Sequence, residues 1–341
     1  MKVSRIGYAM GMRINRRNKK WKVLLSIFLI ILILCGIMLM VGKDKNDSIY
    51  VIYIPKTQIS SNDFWSSIRA GAETAAKENN VNLEINSPKD EMHIEEQNAL
   101  IRDAIQKNPD AIVVSPSSKT ENAEALEEVN KAGIPLILVD STTNKPIAEG
   151  IVATDNVAAG SKMAEPMLAT LNKDSKIAIV SHVKNSSTAI ERENGFKQAL
   201  GIYKSQIVGI VYSNSMEEIG YKVTKDLLMD EPEIDYLACL NEDSAVGAAR
   251  AVRELGLVGK ICIVGFDNST EEIERLEEGL FSAIVVQKAF SMGYFGIENA
   301  AKVVRGEKVE YSVDSGSVLI TKENMYDEEN QELLFPFYWQ E

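Results

Sequence analysis

Histidine and cysteine, the residues that metal and redox sites draw on, are almost absent from this chain. Its 341 residues include two histidines, His93 and His182, and three cysteines. The histidines are far apart, and neither has a cysteine at ligand spacing, so a zinc site has no support. Three cysteines exclude a disulfide-rich scaffold. Cys239 and Cys262 sit in the apolar runs DYLACLN and KICIVGFD, where a free buried thiol is the default and a bond between them the alternative. No Ser/His/Asp set and no GxSxG occurs, which removes the usual frame for acyl transfer. No GxxxxGK[ST] occurs either, so nucleoside triphosphate binding has no support. No cofactor and no catalytic activity is implied.

Positive charge is also scarce once the first segment is passed. The net charge is -12, from 37 basic and 49 acidic residues. Residues 1–22 hold eight basic side chains (Lys2, Arg5, Arg13, Arg16, Arg17, Lys19, Lys20 and Lys22) and no acid, and residues 23–42 hold no charge. Removing that +8 from -12 leaves -20 on residues 43–341. So acidic a body repels phosphate, which argues against a nucleic-acid partner. Apolar residues at 45% and charged residues at 25% are the balance of a globular protein and exclude disorder as the main state.

The one long hydrophobic run is VLLSIFLIILILCGIMLMVG, residues 23–42. At 1.5 Å per helical residue, twenty residues span about 30 Å, one bilayer core. The basic flank should stay cytoplasmic, which puts residues 43–341 outside a cell membrane crossed once. A cleaved signal peptide would have a shorter apolar stretch and small residues at the cut. A lipoprotein would use Cys35, but Leu34 precedes it and more apolar residues follow. The expectation is an uncleaved anchor.

From residue 49 onward, short apolar runs alternate with helix-period segments. The runs are 49–54, 81–85, 111–115, 135–140, 151–154, 176–181, 206–212, 235–240, 260–266 and 283–287. Between them lie helical patterns, such as FWSSIRAGAETAAKENN with Phe64, Ile68, Ala72 and Ala75 at three-to-four spacing. Continuous apolar strands separated by amphipathic helices mean parallel sheets covered on both faces. Ten such runs are too many for one twisted open sheet. The expected class is α/β, with two doubly wound parallel-sheet lobes; a single eight-stranded barrel is the alternative.

In open α/β sheets ligands bind beyond the carboxyl ends of strands. The polar residues there are Asn62 (through a loop), Asp140 and Ser141, Asn241, Asp267 and Gln287, with the aromatic pair Phe64 and Trp65 nearby and Arg192 in TAIERENGF. Carboxylates that accept, an arginine that donates, amides that do both and aromatics that cover C–H faces form a set suited to a sugar. Each also has a plainer reading. Asp140 and Asp267 could cap helices, Phe64 and Trp65 could be core, and Arg192 could be a solvated charge.

The markers NDFW (62–65), LVDST (138–142), TDN (154–156), ERENGFKQAL (191–200), LNEDSAVGAARAV (240–252), VGFDNS (264–269) and Gln287 resemble those of sugar-binding periplasmic proteins of the ribose/galactose type. These share a fold with the effector domains of LacI-type repressors. The resemblance covers about residues 48–322 and implies a type I periplasmic-binding fold with a hinge between lobes. It implies that Phe64 and Trp65 sandwich a sugar ring, with Asn62 beside them. It further implies that Asp140, Arg192, Asn241, Asp267 and Gln287 bind hydroxyls. Two departures stand out: ribose-type members carry arginine where this chain has Ser141, and an aromatic expected near 213–216 is replaced by SNSM, with Ser215 the nearest match. Ribose specificity is therefore not implied.

The expected layout is a basic flank (1–22), an anchor (23–42), an N-terminal lobe (48–154 plus 288–314), a C-terminal lobe (155–287 plus 315–324) and an acidic, aromatic tail (325–341). The tail either packs back on a lobe or docks a partner. Two functions fit: a monosaccharide receptor serving an ABC permease for import, and a sensor of the same fold reporting occupancy to a membrane histidine kinase.

Overall fold

The computed structural model describes residues 48–58 and 63–335. The basic flank, the expected anchor with Cys35, Asn62 and the aromatic residues after Phe335 lie outside the described residues. Among the described residues, no helix is long and apolar enough to cross a membrane.

Two six-stranded sheets form. The first holds β1 (Ile49–Ile54), β2 (Val81–Ile85), β3 (Ala111–Val114), β4 (Leu136–Val139), β5 (Gly150–Ala153) and β11 (Ser312–Asp314), in the order β11-β5-β4-β3-β1-β2. The second holds β6 (Ile177–Ser181), β7 (Ile207–Tyr212), β8 (Tyr236–Cys239), β9 (Cys262–Phe266), β10 (Phe281–Gln287) and β12 (Ser317–Ile320), in the order β12-β10-β9-β8-β6-β7. Pairing is parallel apart from β10 with β12.

Helices cover both faces of each sheet, and this is why the strands read as unbroken apolar runs. In β1, Val51 and Tyr53 enter a core with α1 (Asp63–Glu78) and α9 (Ala289–Val304). Their neighbours Ile52 and Ile54 enter the opposite core with α2 (Ile94–Gln106) and α3 (Ala123–Lys131). The second sheet splits the same way. Ile177 and Ile179 face α4 (Asn156–Leu168) and α5 (Ser187–Ala199). Ala178 and Val180 face α7 (Glu242–Glu254) and α8 (Thr270–Glu277). α6 (Glu217–Asp230) packs on α7. Strand alternation with period two thus builds two cores per lobe.

The chain passes between the sheets after β5, after β10, and between β11 and β12. β11 and α10 (Glu328–Leu334) carry no continuous apolar run and β12 only the short 318–320, and the sequence reading places none of the three. Leu334 of α10 is buried in the second lobe, and Leu333 and Phe335 pack against the same core. Up to Phe335, therefore, the tail packs back on a lobe. Cys239 and Cys262 are free. Cys262 pairs in register with Tyr236, so Cys239 lies three residues further along its strand, roughly 10 Å away and beyond disulfide reach.

Candidate functional site

The carboxyl ends of both sheets face one another. Lys56 follows β1, Asp140 β4, His182 β6, Asn241 β8 and Asp267 β9, and Gln287 ends β10. Together with Phe64, Trp65, Glu91, Thr188, Arg192 and Asp243 they line one cavity between the lobes. Closed as it is, it leaves only about 30 Å³ free, room for a few waters at most and far below the few hundred Å³ of a ligand pocket, so a ligand enters only as the lobes part. The lobes are closed upon it: Thr142 N donates to Ser187 Oγ at 2.9 Å and Lys119 N to the Asn185 carbonyl at 2.8 Å, both across the cleft. A larger, open recess at the other end of the second sheet is lined by residues such as Asn172, Asp235 and Lys260. It has no strand carboxyl ends and no buried charge, so the cleft is the better candidate.

Asp140 and Asp267 are set by the same backbone device. Each has a positive φ, 67° and 90°, where non-glycine residues are strained. In each, the amide donates at 2.9 Å to a carbonyl of the next strand, Val152 for Asp140 and Val285 for Asp267. Neither caps a helix. α8 is capped by Ser269 in a capping box with Glu272, and Asp140 Oδ2 is 2.7 Å from Lys56 Nζ in a buried ion pair. The capping role falls to Asn241, whose Oδ1 accepts from Ser244 N at 3.1 Å.

Asp267 Oδ1 accepts from Gln287 Nε2 at 2.7 Å, and Oδ2 from Glu242 N at 3.3 Å. Burial pushes its carboxyl above the usual range, and Arg192 pulls it back down. Arg192 is no solvated charge but 3% exposed. Its Nε donates to Asn156 Oδ1 at 2.9 Å and its Nη1 to the Leu240 carbonyl at 2.7 Å, and the guanidinium lies 3.7 Å from the Phe266 ring centroid. Burial lowers its pKa while Asp267 and Asp140 support the charge. Close packing of α4 on α5 fixes this residue's helix: a Cβ on Gly160 would lie 2.2 Å from the Arg192 carbonyl oxygen.

Phe64 and Trp65 are both core residues and cavity walls. Their ring centroids are 5.2 Å apart at 78°. A sugar ring between two aromatic faces needs about 7 Å, two van der Waals contacts, so here it would lie against the pair and not between them. This departs from the sandwich that the resemblance implies. Ser141 is buried but absent from the cavity wall; its Oγ donates to Asp140 Oδ2 at 2.7 Å. The cation beside Asp140 comes instead from Lys56, on another strand.

Lys56, Glu91, His182, Thr188 and Asp243 are cavity residues the sequence reading misses. Lys56 and His182 had a signal, because His182 follows its apolar strand directly and Lys56 follows its own one residue later, after Pro55. Glu91 had none: it sits in the loop before α2 and is buried there, accepting from the Trp65 indole and from Ser215 of the other lobe. Burial raises its pKa. Burial also raises Asp243 to about 7 and Glu242, next to it, to about 9. The wall carries four carboxyls (Glu91, Asp140, Asp243, Asp267) against two cations, Lys56 and Arg192. Among the described residues, Gln287 Oε1, Glu91 Oε2 and His182 Nδ1 are buried without a hydrogen-bond partner. A buried polar atom in that state favours a ligand that completes it.

The family model for a periplasmic binding protein domain matches residues 52–308. The ribose import binding protein of Bacillus subtilis is 27% identical over 262 residues, 77% of this chain and 84% of that protein. The D-allose-binding periplasmic protein of Escherichia coli is 28% identical over 77% of this chain and 89% of its own length. Among solved structures, a sugar transporter from Clostridium phytofermentans is 40% identical with a TM-score of 0.77, covering 81% of this chain and 100% of that one. A carbohydrate transporter solute-binding protein from Agrobacterium radiobacter, in complex with D-arabinose, is 27% identical with a TM-score of 0.80, covering 85% and 99%.

Proposed function

The chain belongs to the periplasmic binding protein family, and from that premise we propose that it binds a neutral monosaccharide between its closing lobes and delivers it to an ABC permease. The observation that carries this is the closed cavity whose buried wall pairs Asp140, Arg192, Asp267, Asn241 and Gln287 with partnerless acceptors on Gln287 and Glu91. Hydroxyls both donate and accept, so a sugar satisfies such a wall. Four carboxyls against two cations disfavour sugar acids and phosphates. Phe64 and Trp65 offer apolar area to C–H faces. Relatives named for ribose and allose, and a neighbour bound to D-arabinose, support this size and class of ligand.

In this reading residues 23–42 anchor the protein in the cell membrane with residues 43–341 outside. The first lobe takes 48–154 and 288–314, and the second 155–287 and 315–324. Asn62 and Phe64 complete the sugar site. A transmembrane anchor with no small residue before Cys35 also favours a second reading, a sugar sensor coupled to a membrane histidine kinase. No catalytic step belongs to either reading.

A thermal-shift panel on the full chain tests the ligand class, with D-ribose, D-allose, D-arabinose and D-fucose against their phosphorylated or acidic counterparts. A sugar at a hundred times its Kd should stabilise by about 2.7 kcal/mol. No response to any neutral monosaccharide, or a preference for the anionic forms, would overturn the proposal.

A further inference from the structure

A line of polar groups runs from the first lobe into the second. Lys56 Nζ, held by Asp140, reaches Ser186 Oγ across the cleft at 3.4 Å. Ser186 Oγ is 2.7 Å from Thr188 Oγ1, and Thr188 Oγ1 is 2.9 Å from His182 Nε2. All four residues are at most 3% exposed. The remaining ring nitrogen, His182 Nδ1, has no partner among the described residues, and the ring lines the ligand cavity.

Hydroxyls can point either way, so the two ends of the line decide its direction. An ammonium can only donate. Beside Ser186 Oγ it repels that hydroxyl's proton, which turns to Thr188 Oγ1. The Thr188 proton then goes to His182 Nε2. A neutral imidazole that accepts at Nε2 carries its proton on Nδ1. Reversing the line would aim the Ser186 proton at a cation.

We propose that His182 is a ligand-contacting residue, a neutral Nδ1–H donor to a ring or hydroxyl oxygen of the bound sugar, fixed in that tautomer when closure brings Lys56 onto Ser186. This rests on the monosaccharide reading of the cavity. Burial, reinforced by Arg192 and Lys56, holds the imidazole well below its ordinary pKa, so it stays neutral across physiological pH. The donor complements Gln287 Oε1 and Glu91 Oε2, which need donors from the ligand. A ligand bearing an ammonium opposite His182 would leave Nδ1–H unpaired, so the line selects an oxygen there. Ser186, Thr188 and His182 all belong to the second lobe and Lys56 to the first, so the tautomer is set only in the closed state.

The chain has two histidines, which makes the tautomer directly readable. Full-length protein labelled with ¹⁵N at histidine, with a His93→Gln variant for assignment, is titrated with D-ribose, D-allose, D-arabinose and D-fucose while calorimetry on the same preparation reports binding. With a bound sugar, His182 should show the Nδ1–H shift pattern, unchanged from pH 6 to pH 8. His182→Asn places an amide N–H near Nδ1 and should keep the affinity within about threefold, whereas His182→Gln places it near Nε2 and should lose about tenfold or more, the scale of one buried hydrogen bond. Sugar binding with an Nε2–H pattern, or equal losses in both variants with unchanged melting, would overturn the donor alone. No binding by any of the four sugars would overturn the cavity reading, and the donor with it.

Discussion

The two strand-end aspartates share a backbone conformation and differ in their company. Asp140, in the first lobe, has a lysine 2.7 Å away and a serine hydroxyl on the same oxygen. Asp267, in the second, has the Gln287 amide and one backbone N–H, the Arg192 charge near but not in an ion pair, Glu242 beside it and Glu272 behind. A repeated sheet can place a carboxylate in the same way twice while giving it a cation in direct contact in only one place, with Arg192 acting on Asp267 from further off. The first lobe thereby becomes dependent on a cation for its stability, and the second lobe stores unpaired acid that protons can relieve.

The largest effect should come from breaking the balanced side. Lys56→Met leaves Asp140 buried and charged without its partner, which costs about 3–5 kcal/mol for a pair of this kind. Urea denaturation of the full chain at pH 7 should show that loss. A loss below about 1 kcal/mol would mean that water or another cation reaches Asp140, and the contrast between the lobes would vanish.

The next effect falls on binding. Asp267→Ala and Arg192→Ala each leave buried groups unpaired in the closed cleft, at about 1–3 kcal/mol per lost charged hydrogen bond. Sugar affinity measured by calorimetry should drop about a hundredfold or out of range. Asp267→Asn, which keeps the shape and removes a buried acid, should melt no lower than wild type while binding equally poorly. Wild-type affinity in any of the three would remove these side chains from the site.

The sequence exposes this contrast on one side only. Asp140, Asn241, Asp267 and Gln287 are legible because each interrupts or ends an apolar run, although a strand end can also carry such a residue as a helix cap, as Asn241 does. The same rule applied to IYVIYIPK points at Lys56, and applied to KIAIVSH at His182, but a motif further on (NDFW) competes for attention in the first case. Arg192 is legible as the one charged donor in that set of acceptors and through the resemblance, since one arginine in a helix of mixed charge carries no periodic signal. Glu91 is illegible by any local rule: its burial comes from a loop folding over Trp65 and meeting Ser215 of the other lobe. The edge strands β11 and β12 escape for a related reason. They are short and half-exposed: SVD has a single apolar residue, and SVLI is a run of only three beside a glycine-containing turn.

A smaller effect should appear in pH dependence, on the acidic side. In the closed lobes Glu242 is raised to about 9 and Asp243 to about 7, with burial as the first cause and neighbouring acids, Asp267 foremost for Glu242 and Glu91 for Asp243, adding to it. Opening the cleft to water should return both toward about 4, the ordinary carboxyl value. Closure therefore takes up protons between those values, so affinity is highest in acid and falls as pH rises through 7. We expect affinity about tenfold or more weaker at pH 8 than at pH 6, since each proton taken up is worth up to tenfold per pH unit. Calorimetry in two buffers of different ionisation enthalpy should show proton uptake on binding. Flat affinity without uptake would place these carboxyls in water in both states.

The smallest effect isolates the stored acid from the ligand. Glu272 is fully buried; its Oε2 accepts from Ser269 N and from Ser269 Oγ, both at 3.1 Å, and its Oε1 has no partner among the described residues. Burial first, then Glu242 and Asp267, push its pKa well above the usual range. A carboxyl raised in the folded state binds more protons there than in the unfolded chain. Its contribution is greatest below the unfolded value of about 4.3 and is lost progressively as pH rises toward the folded value. Glu272→Gln keeps the acceptor that Ser269 uses and removes the titration. The variant should therefore gain on wild type as pH increases, by about 1 kcal/mol between pH 5 and pH 8, a modest share of the 1.4 kcal/mol per unit that a fully expressed shift would give. Urea denaturation of both proteins at the two pH values measures it. If the difference between them stays constant with pH, Glu272 titrates outside that range or not at all, and the second lobe's sensitivity to protons belongs to the cleft residues Glu242 and Asp243 alone.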